Sequence, residues 1–295
     1  MASRVSVYIA ALTTNKESTN IENLRQIFSN PIFNVQARYI PPPASLPPSK
    51  TMSSEDQLQA FRFIEILKIG LEESPDDYMI FIWENSVSVV NSDIMASIVE
   101  HAIIDNSIIN PQDPAGKWEL LYLTRWLDRC DEHSFRNNEE LDIPGGATLQ
   151  IVESLNTLGF QCYLITPYGR LVLLGLAPML NGQLFTPIIY PVDRQINLAT
   201  QRVGIRRWVT TPNVVEFDIE FDTTMSGYQS NVIKMCECSP ARDTTEQPIN
   251  FAPLLFGLLI IAAILLIAWA MVKIGPCDKN FRRERGSDAI RRRKT

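Results

Sequence analysis

The sequence predicts an α/β fold: a mainly parallel sheet with helices on both faces, followed by one C-terminal transmembrane helix. Three observations lead there. Over residues 1–222, short apolar runs rich in β-branched residues alternate with stretches of helical period. Strands that alternate with helices are joined by crossovers and build parallel sheets covered on both sides. The chain has 295 residues and is 45% hydrophobic, enough for a sizeable core. Residues 251–272, FAPLLFGLLIIAAILLIAWAMV, run for 22 positions without a charge.

The elements follow in order. Residues 5–12, VSVYIAAL, read as the first strand. Polar residues follow this short run at once, which is not the pattern of a signal peptide. Thr19 and Glu22 have capping-box spacing, and Ile21, Leu24, Ile27 and Phe28 continue at helical period. Residues 33–40 read as a second strand, ended by the exposed, polyproline-like connector PPPASLPP. Ser54 and Gln57 repeat the capping spacing. Leu58, Phe61, Ile64 and Leu67 then predict a helix through Leu71.

DYMIFIWENSVSVV, residues 77–90, reads as a buried strand that runs into polar residues. Glu84 stands at its end, with Asn85 and Ser86 next. Asp93 is expected to cap a helix through His101, with Met95, Ile98, Val99 and Ala102 on one side. KWELLYLTRWLDRCDEH, residues 117–133, reads as a strand entering a loop that holds Asp128 and Asp131. Residues 147–158 read as a helix stopped at Gly159, FQCYLIT at 160–166 as a strand, and PYG as a turn into a helix over 171–180. In parallel α/β sheets ligands sit beyond the carboxyl ends of strands. Glu84, Asp128 and Asp131 all follow strands, so one cleft could hold them.

The remaining domains are a polar linker at 223–250, a transmembrane helix at 251–272 and a basic tail at 273–295. As a helix the uncharged stretch would be about 33 Å long, against a hydrocarbon core of about 30 Å. The tail holds nine Lys and Arg against three Asp and Glu, a net of +6; with −6 for the whole chain, residues 1–272 carry −12. A single-pass protein with an acidic body and a basic tail is expected. Arg282 to Lys294 would lie on anionic lipid headgroups or meet nucleic acid.

Other chemistries find little support. His101 and His133 are the two histidines, and neither lies near a nucleophile motif. No Gly-rich phosphate loop is present. Cys130, Cys162, Cys236, Cys238 and Cys277 are odd in number and irregular in spacing, so reduced thiols are expected. Arg202, Arg206 and Arg207 form a basic cluster that reads as a solvated face, and Trp118, Trp126 and Trp208 read as core.

Four stretches carry a family resemblance. DYMIFIWENSV stands where glycosyltransferase family 25 has an apolar strand ending in Glu-Asp-Asp-Val. WELLYLTRWLDRCD resembles the strand and loop of its members encoded by large DNA viruses. QCYLITPYGRLVLL and YPVDRQI, the latter at 190–196, are similar to two later family segments. The resemblance implies a Rossmann-like glycosyltransferase-A fold, with an acidic cluster holding manganese or another divalent cation on the diphosphate of a nucleotide sugar.

In this chain Glu84 matches the family's Glu, but Asn85 and Ser86 replace both Asp residues, while Asp193, Asp128 and Asp131 keep their acids. Two formal charges are lost from the cation cradle. An amide or hydroxyl is a poor substitute for a carboxylate toward a hard cation. If activity is retained, Glu84 and Asp193 would ligate the metal; otherwise Glu84, Asn85, Ser86, Asp128, Asp131 and Asp193 are vestiges and no cofactor is expected. The expectation is a membrane-anchored, catalytically degenerate glycosyltransferase-like structural component of a large DNA virus particle. It would link the internal membrane to the capsid shell, its large domain on the cytosolic side against capsid proteins. The alternative is an active membrane-bound glycosyltransferase.

Overall fold

The first β-α-β-α-β passage sets the frame. Strand β1 (Val5–Ala11) is buried along its whole length and pairs in parallel with β2 (Phe33–Tyr39) on one side and β3 (Tyr78–Trp83) on the other. Helix α1 (Thr19–Ile27) carries the chain from β1 to β2, and α2 (Ser54–Glu73) carries it from β2 to β3. The order β2-β1-β3 reverses direction between β1 and β3, which is the switch point of a doubly wound sheet. This computed structural model describes residues 5–14, 18–108, 116–124, 138–143, 147–154, 157 and 159–217. The expected linker, span and tail lie outside the described residues, as do Asp128, Asp131, Trp126 and His133. Among the described residues no helix is long and apolar enough to cross a membrane.

The chain continues through β4 (Ser86–Ser88), α3 (Ser92–Ile108), β5 (Leu120–Tyr122), β6 (Asn138–Ile143), β7 (Ala147–Glu153) and β8 (Cys162–Ile165). Then come α4 (Pro167–Leu173), α5 (Val192–Gln201), β9 (Arg207–Thr211) and β10 (Val215–Phe217). Eight of the described strands form one sheet in the order β2-β1-β3-β8-β5-β9-β7-β6; β4 and β10 form a separate antiparallel pair. Six of the eight run in one direction, and β7 and β8 run against them. The expected α/β class and mainly parallel direction are therefore seen, with two reversed strands that periodicity did not announce.

The sheet is covered on both faces. On one, Ile9, Ile80, Ile82 and Leu164 pack against Ile21 and Leu24 of α1 and Met95, Ile98, Val99 and Ala102 of α3. On the other, Tyr8, Phe81, Trp83 and Tyr163 pack against Phe63 and Leu67 of α2, Leu173 of α4 and Ile196 of α5. The strands place successive side chains on opposite faces, so a near-continuous apolar run is what a doubly covered sheet needs.

Several expectations need correction. Residues 147–158 do not open with a helix: β7 pairs antiparallel with β9, from Gln150↔Thr211 to Glu153↔Trp208. Leu149 and Ile151 face one cluster and Val152 the other, a period of two. A free sheet edge outweighed helical spacing. The caps also shift. Ser18, not Thr19, caps α1; Ser53, with Asp56, forms the capping box of α2; Asn91 Oδ1 accepts from Ile94 N at the start of α3. The N-cap is the last residue outside the helix, and its oxygen serves the N–H three positions on.

On α2 the buried face runs through Ala60, Phe63, Ile66, Leu67 and Gly70, while Leu58, Phe61 and Ile64 are only half-buried. PYG is the first turn of α4 rather than a turn before it. Thr166 caps Gly169 N, Pro167 fills the first position, and the helix stops at Leu173. Trp118 and Trp208 are core residues, as expected, and Cys162 is a free buried thiol.

Candidate functional site

The carboxyl edge of the sheet at the β1/β3 switch point is the place where this architecture receives ligands. Glu84 leaves β3 there: its N–H donates to Ala10 O, and the preceding Trp83 N donates to Gln161 O. Strand alternation sends Trp83 to the α2 face and Glu84 to the α1 face. The Glu84 side chain is 1% exposed. Its Oε2 accepts from Leu12 N at 2.7 Å, and its Oε1 accepts from Ser18 Oγ at 2.5 Å. Ser18 Oγ in turn accepts from Ile21 N at 3.2 Å. The carboxylate thus sits behind the N-cap of α1, where the helix dipole favours an anion. It ties the end of β3 to the β1–α1 connection.

Asn85 and Ser86 bring neutral oxygens. Ser86 is 4% exposed and starts β4, opposite Phe217. Asn85 Oδ1 and Ser86 Oγ are buried without a hydrogen-bond partner, as are Thr124 Oγ1 just after β5 and Gln161 Oε1 just before β8. β8 runs against β3 and β5, so its start shares an edge with their ends. Four neutral oxygens at one edge can bond hydroxyl or amide groups. They carry no charge to offset a dication.

Asp193 lies in the first turn of α5, on the opposite face of the sheet from α1. Its Oδ1 accepts from Arg194 N at 2.7 Å and its Oδ2 from Gly159 N at 3.4 Å. Beside it, Tyr163 donates to Gly159 O at 2.5 Å, and Arg207 donates to Thr157 O at 2.7 Å and to Asn197 Oδ1 at 3.1 Å. Burial pushes the Tyr163 phenol well up; the neighbouring Tyr122 and Asp193 push the same way and Arg207 opposes them. Asp193 therefore belongs to a polar knot that closes the start of β8.

Glu84 and Asp193 thus serve different backbone groups, one on the α1 side of the sheet and the other on the α5 side. Asp128 and Asp131 lie outside the described residues. Among the described residues no group of three or more His, Cys, Asp and Glu could hold a metal ion. A divalent cation with a diphosphate needs several charged oxygens open to one point. Among the described residues, one sealed carboxylate, an amide and a hydroxyl do not meet that requirement.

The basic cluster is also dispersed. Arg207 is fully buried, its guanidinium 5.2 Å from the centroid of the Tyr122 ring. Arg206 meets the buried Glu119: its N–H donates to Oε2 at 2.6 Å and its Nη2 to Oε1 at 3.0 Å. Burial holds the Glu119 carboxyl above its usual range, and Arg206 draws it back only in part. Arg202 alone of the three is exposed. The solvated face expected for this cluster fails for Arg207 because β9 draws it into the sheet. A single Glu inside the apolar run WELLYL was the one sequence signal of a buried ion pair.

Arg170, fully buried, was not anticipated either. It donates from Nη1 to Gly70 O at 3.0 Å and from Nη2 to Ser74 O at 2.8 Å and Pro75 O at 2.5 Å, so a cation closes the carboxyl end of α2. Compared with protein-family models and with curated proteins, the chain matches none.

Proposed function

We propose that this protein is a membrane-anchored structural component built on a glycosyltransferase-A-like domain that no longer uses its cation cradle. The observation that carries this reading is the use of Glu84. Its two oxygens serve Leu12 N and Ser18 Oγ, and 1% of it is exposed. A carboxylate that holds a loop and a helix cap together is a folding element, and the two positions after it are neutral. The reversed order β2-β1-β3, with α1 and α2 on opposite faces, supports the nucleotide-sugar ancestry implied by the family resemblance.

The uncharged stretch at 251–272 and the basic tail supply the anchor in this reading. The acidic body meets capsid proteins of a large DNA virus, and the tail meets anionic lipid or nucleic acid. Purified particles then contain the protein at a fixed ratio to capsid protein. Its recovery from infected-cell membranes alone overturns the structural role. Titration of the full chain in detergent with nucleotide sugars and manganese tests the enzymatic alternative: tight, metal-dependent donor binding overturns the degenerate reading.

A further inference from the structure

We infer that the surface built by residues 176–203 is a second membrane contact, which lies on an anionic lipid surface while the chain is anchored. The inference rests on the anchor reading above. Eight large apolar residues are exposed among the described residues, and five of them fall in this one stretch: Leu176, Leu180, Leu184, Ile189 and Val203, each between 44% and 70% exposed. They converge. Leu180 N donates to Gly204 O, which sets Val203 beside Leu180, while Leu184, Ile189 and Arg202 line one pocket of about 240 Å³. Apolar residues gathered on one surface mark a contact rather than chance.

Val203 adds an independent sign. Its φ is 54°, in the left-handed region, where a β-branched residue is strained and Gly or Asn is favoured. It is also the most exposed of the five. Folding of the domain gains nothing from an exposed, strained valine; insertion among acyl chains does.

Charge selects the occupant. Residues 1–272 carry −12, yet residues 174–205 hold Arg194 and Arg202 against the single Asp193. The Asp193 carboxylate is turned to the backbone N–H groups of Gly159 and Arg194. Arg194 lies over the Tyr190 ring, 5.1 Å from its centroid, so an aromatic and a cation stand at the rim of the apolar surface. Leu and Ile below, with Tyr and Arg at the rim, match the layers of a bilayer interface. The tether supplies proximity. Residues 218–250 number 33, a length of chain that spans at most about 120 Å. A domain whose own chain is anchored in the bilayer meets that surface at high effective concentration and needs little intrinsic affinity.

The test places a photoreactive phenylalanine at position 184 or 203 of the full chain, in vesicles of phosphatidylcholine with or without phosphatidylserine. Position 104 is the control: it is 61% exposed on α3, on the other face of the sheet. Lipid adducts at 184 and 203, absent at 104, are the expected result. Arg202→Gln should lower their yield roughly fivefold with phosphatidylserine present and leave it unchanged without it, about 1 kcal/mol per cation at an anionic surface. Adducts to residues 251–272 of the same chain, adducts to a second copy, or no adducts in a chain that resists alkaline carbonate each overturn the lipid contact. Release of the chain by carbonate overturns the anchor instead; lipid adducts at 184 in that case uphold the surface without it.

Discussion

Ser18 donates its hydroxyl to Glu84 across 66 residues of chain, and the same oxygen caps α1 at Ile21 N. The acid left at the end of β3 is therefore part of how the first helix starts. Glu84→Ala should destabilise the domain by about 1–3 kcal/mol, because two half-buried donors lose their buried acceptor. Glu84→Gln should cost less, keeping one acceptor. Urea denaturation of the full chain in detergent, followed by circular dichroism, measures both. Manganese should not shift the parent's melting temperature; a shift that Glu84→Ala removes would reassign the residue as a metal ligand.

The next two positions permit the reverse experiment. Asn85→Asp with Ser86→Asp places two carboxylates beside Glu84 at a buried edge. Like charges without a partner should lower the melting temperature of the metal-free protein. Manganese should restore it by mass action, with about 2.7 kcal/mol at a hundredfold excess over Kd. Thermal scans with and without the ion check this. A double variant indifferent to manganese would show that the geometry has gone along with the charges.

Arg206 compensates a carboxylate that burial already disfavours. A carboxyl whose folded pKa is raised contributes stability that is present below its unfolded pKa and lost as pH rises through the folded one. Arg206→Met removes the counter-charge and raises that folded pKa further. The loss should be about 3 kcal/mol near pH 7 and should shrink toward about pH 5, as Glu119 takes up a proton. Denaturation curves at the two pH values measure it. A loss independent of pH would mean that packing, not charge, is what Arg206 supplies.

Val203 holds a left-handed backbone with a side chain that disfavours it. Val203→Gly should raise stability by about 1 kcal/mol by relieving that strain. The same change removes an exposed apolar group, so adducts at position 184 should fall. A variant no more stable than the parent would show that the site carries no strain.

Much of the architecture was legible in the chain itself. VSVYIAAL and YMIFIW read as buried strands, since both their faces are largely apolar. Thr-x-x-Glu and Ser-x-x-Gln announced two helices within a residue of their true caps. Such signals are local: periodicity and capping depend on neighbours three or four positions away. ATLQIVE misled for the same reason. Its spacing suits a helix, and what makes it a strand is the open edge of β9, whose residues lie more than fifty positions later.

Residue identity alone gives acids at Glu84 and Asp193 and neutral side chains at Asn85 and Ser86. It also gives the uncharged stretch and the basic tail. What those acids do follows from the packing of the chain. It turned Glu84 toward the α1 cap and Asp193 toward the start of β8, on opposite faces of the sheet. The alternation of a strand and the placing of helices set those directions, and both depend on which strands pair. Tertiary contact likewise gathered Leu180, Leu184, Ile189 and Val203 onto one surface, because their shared exposure follows from what the rest of the chain leaves uncovered.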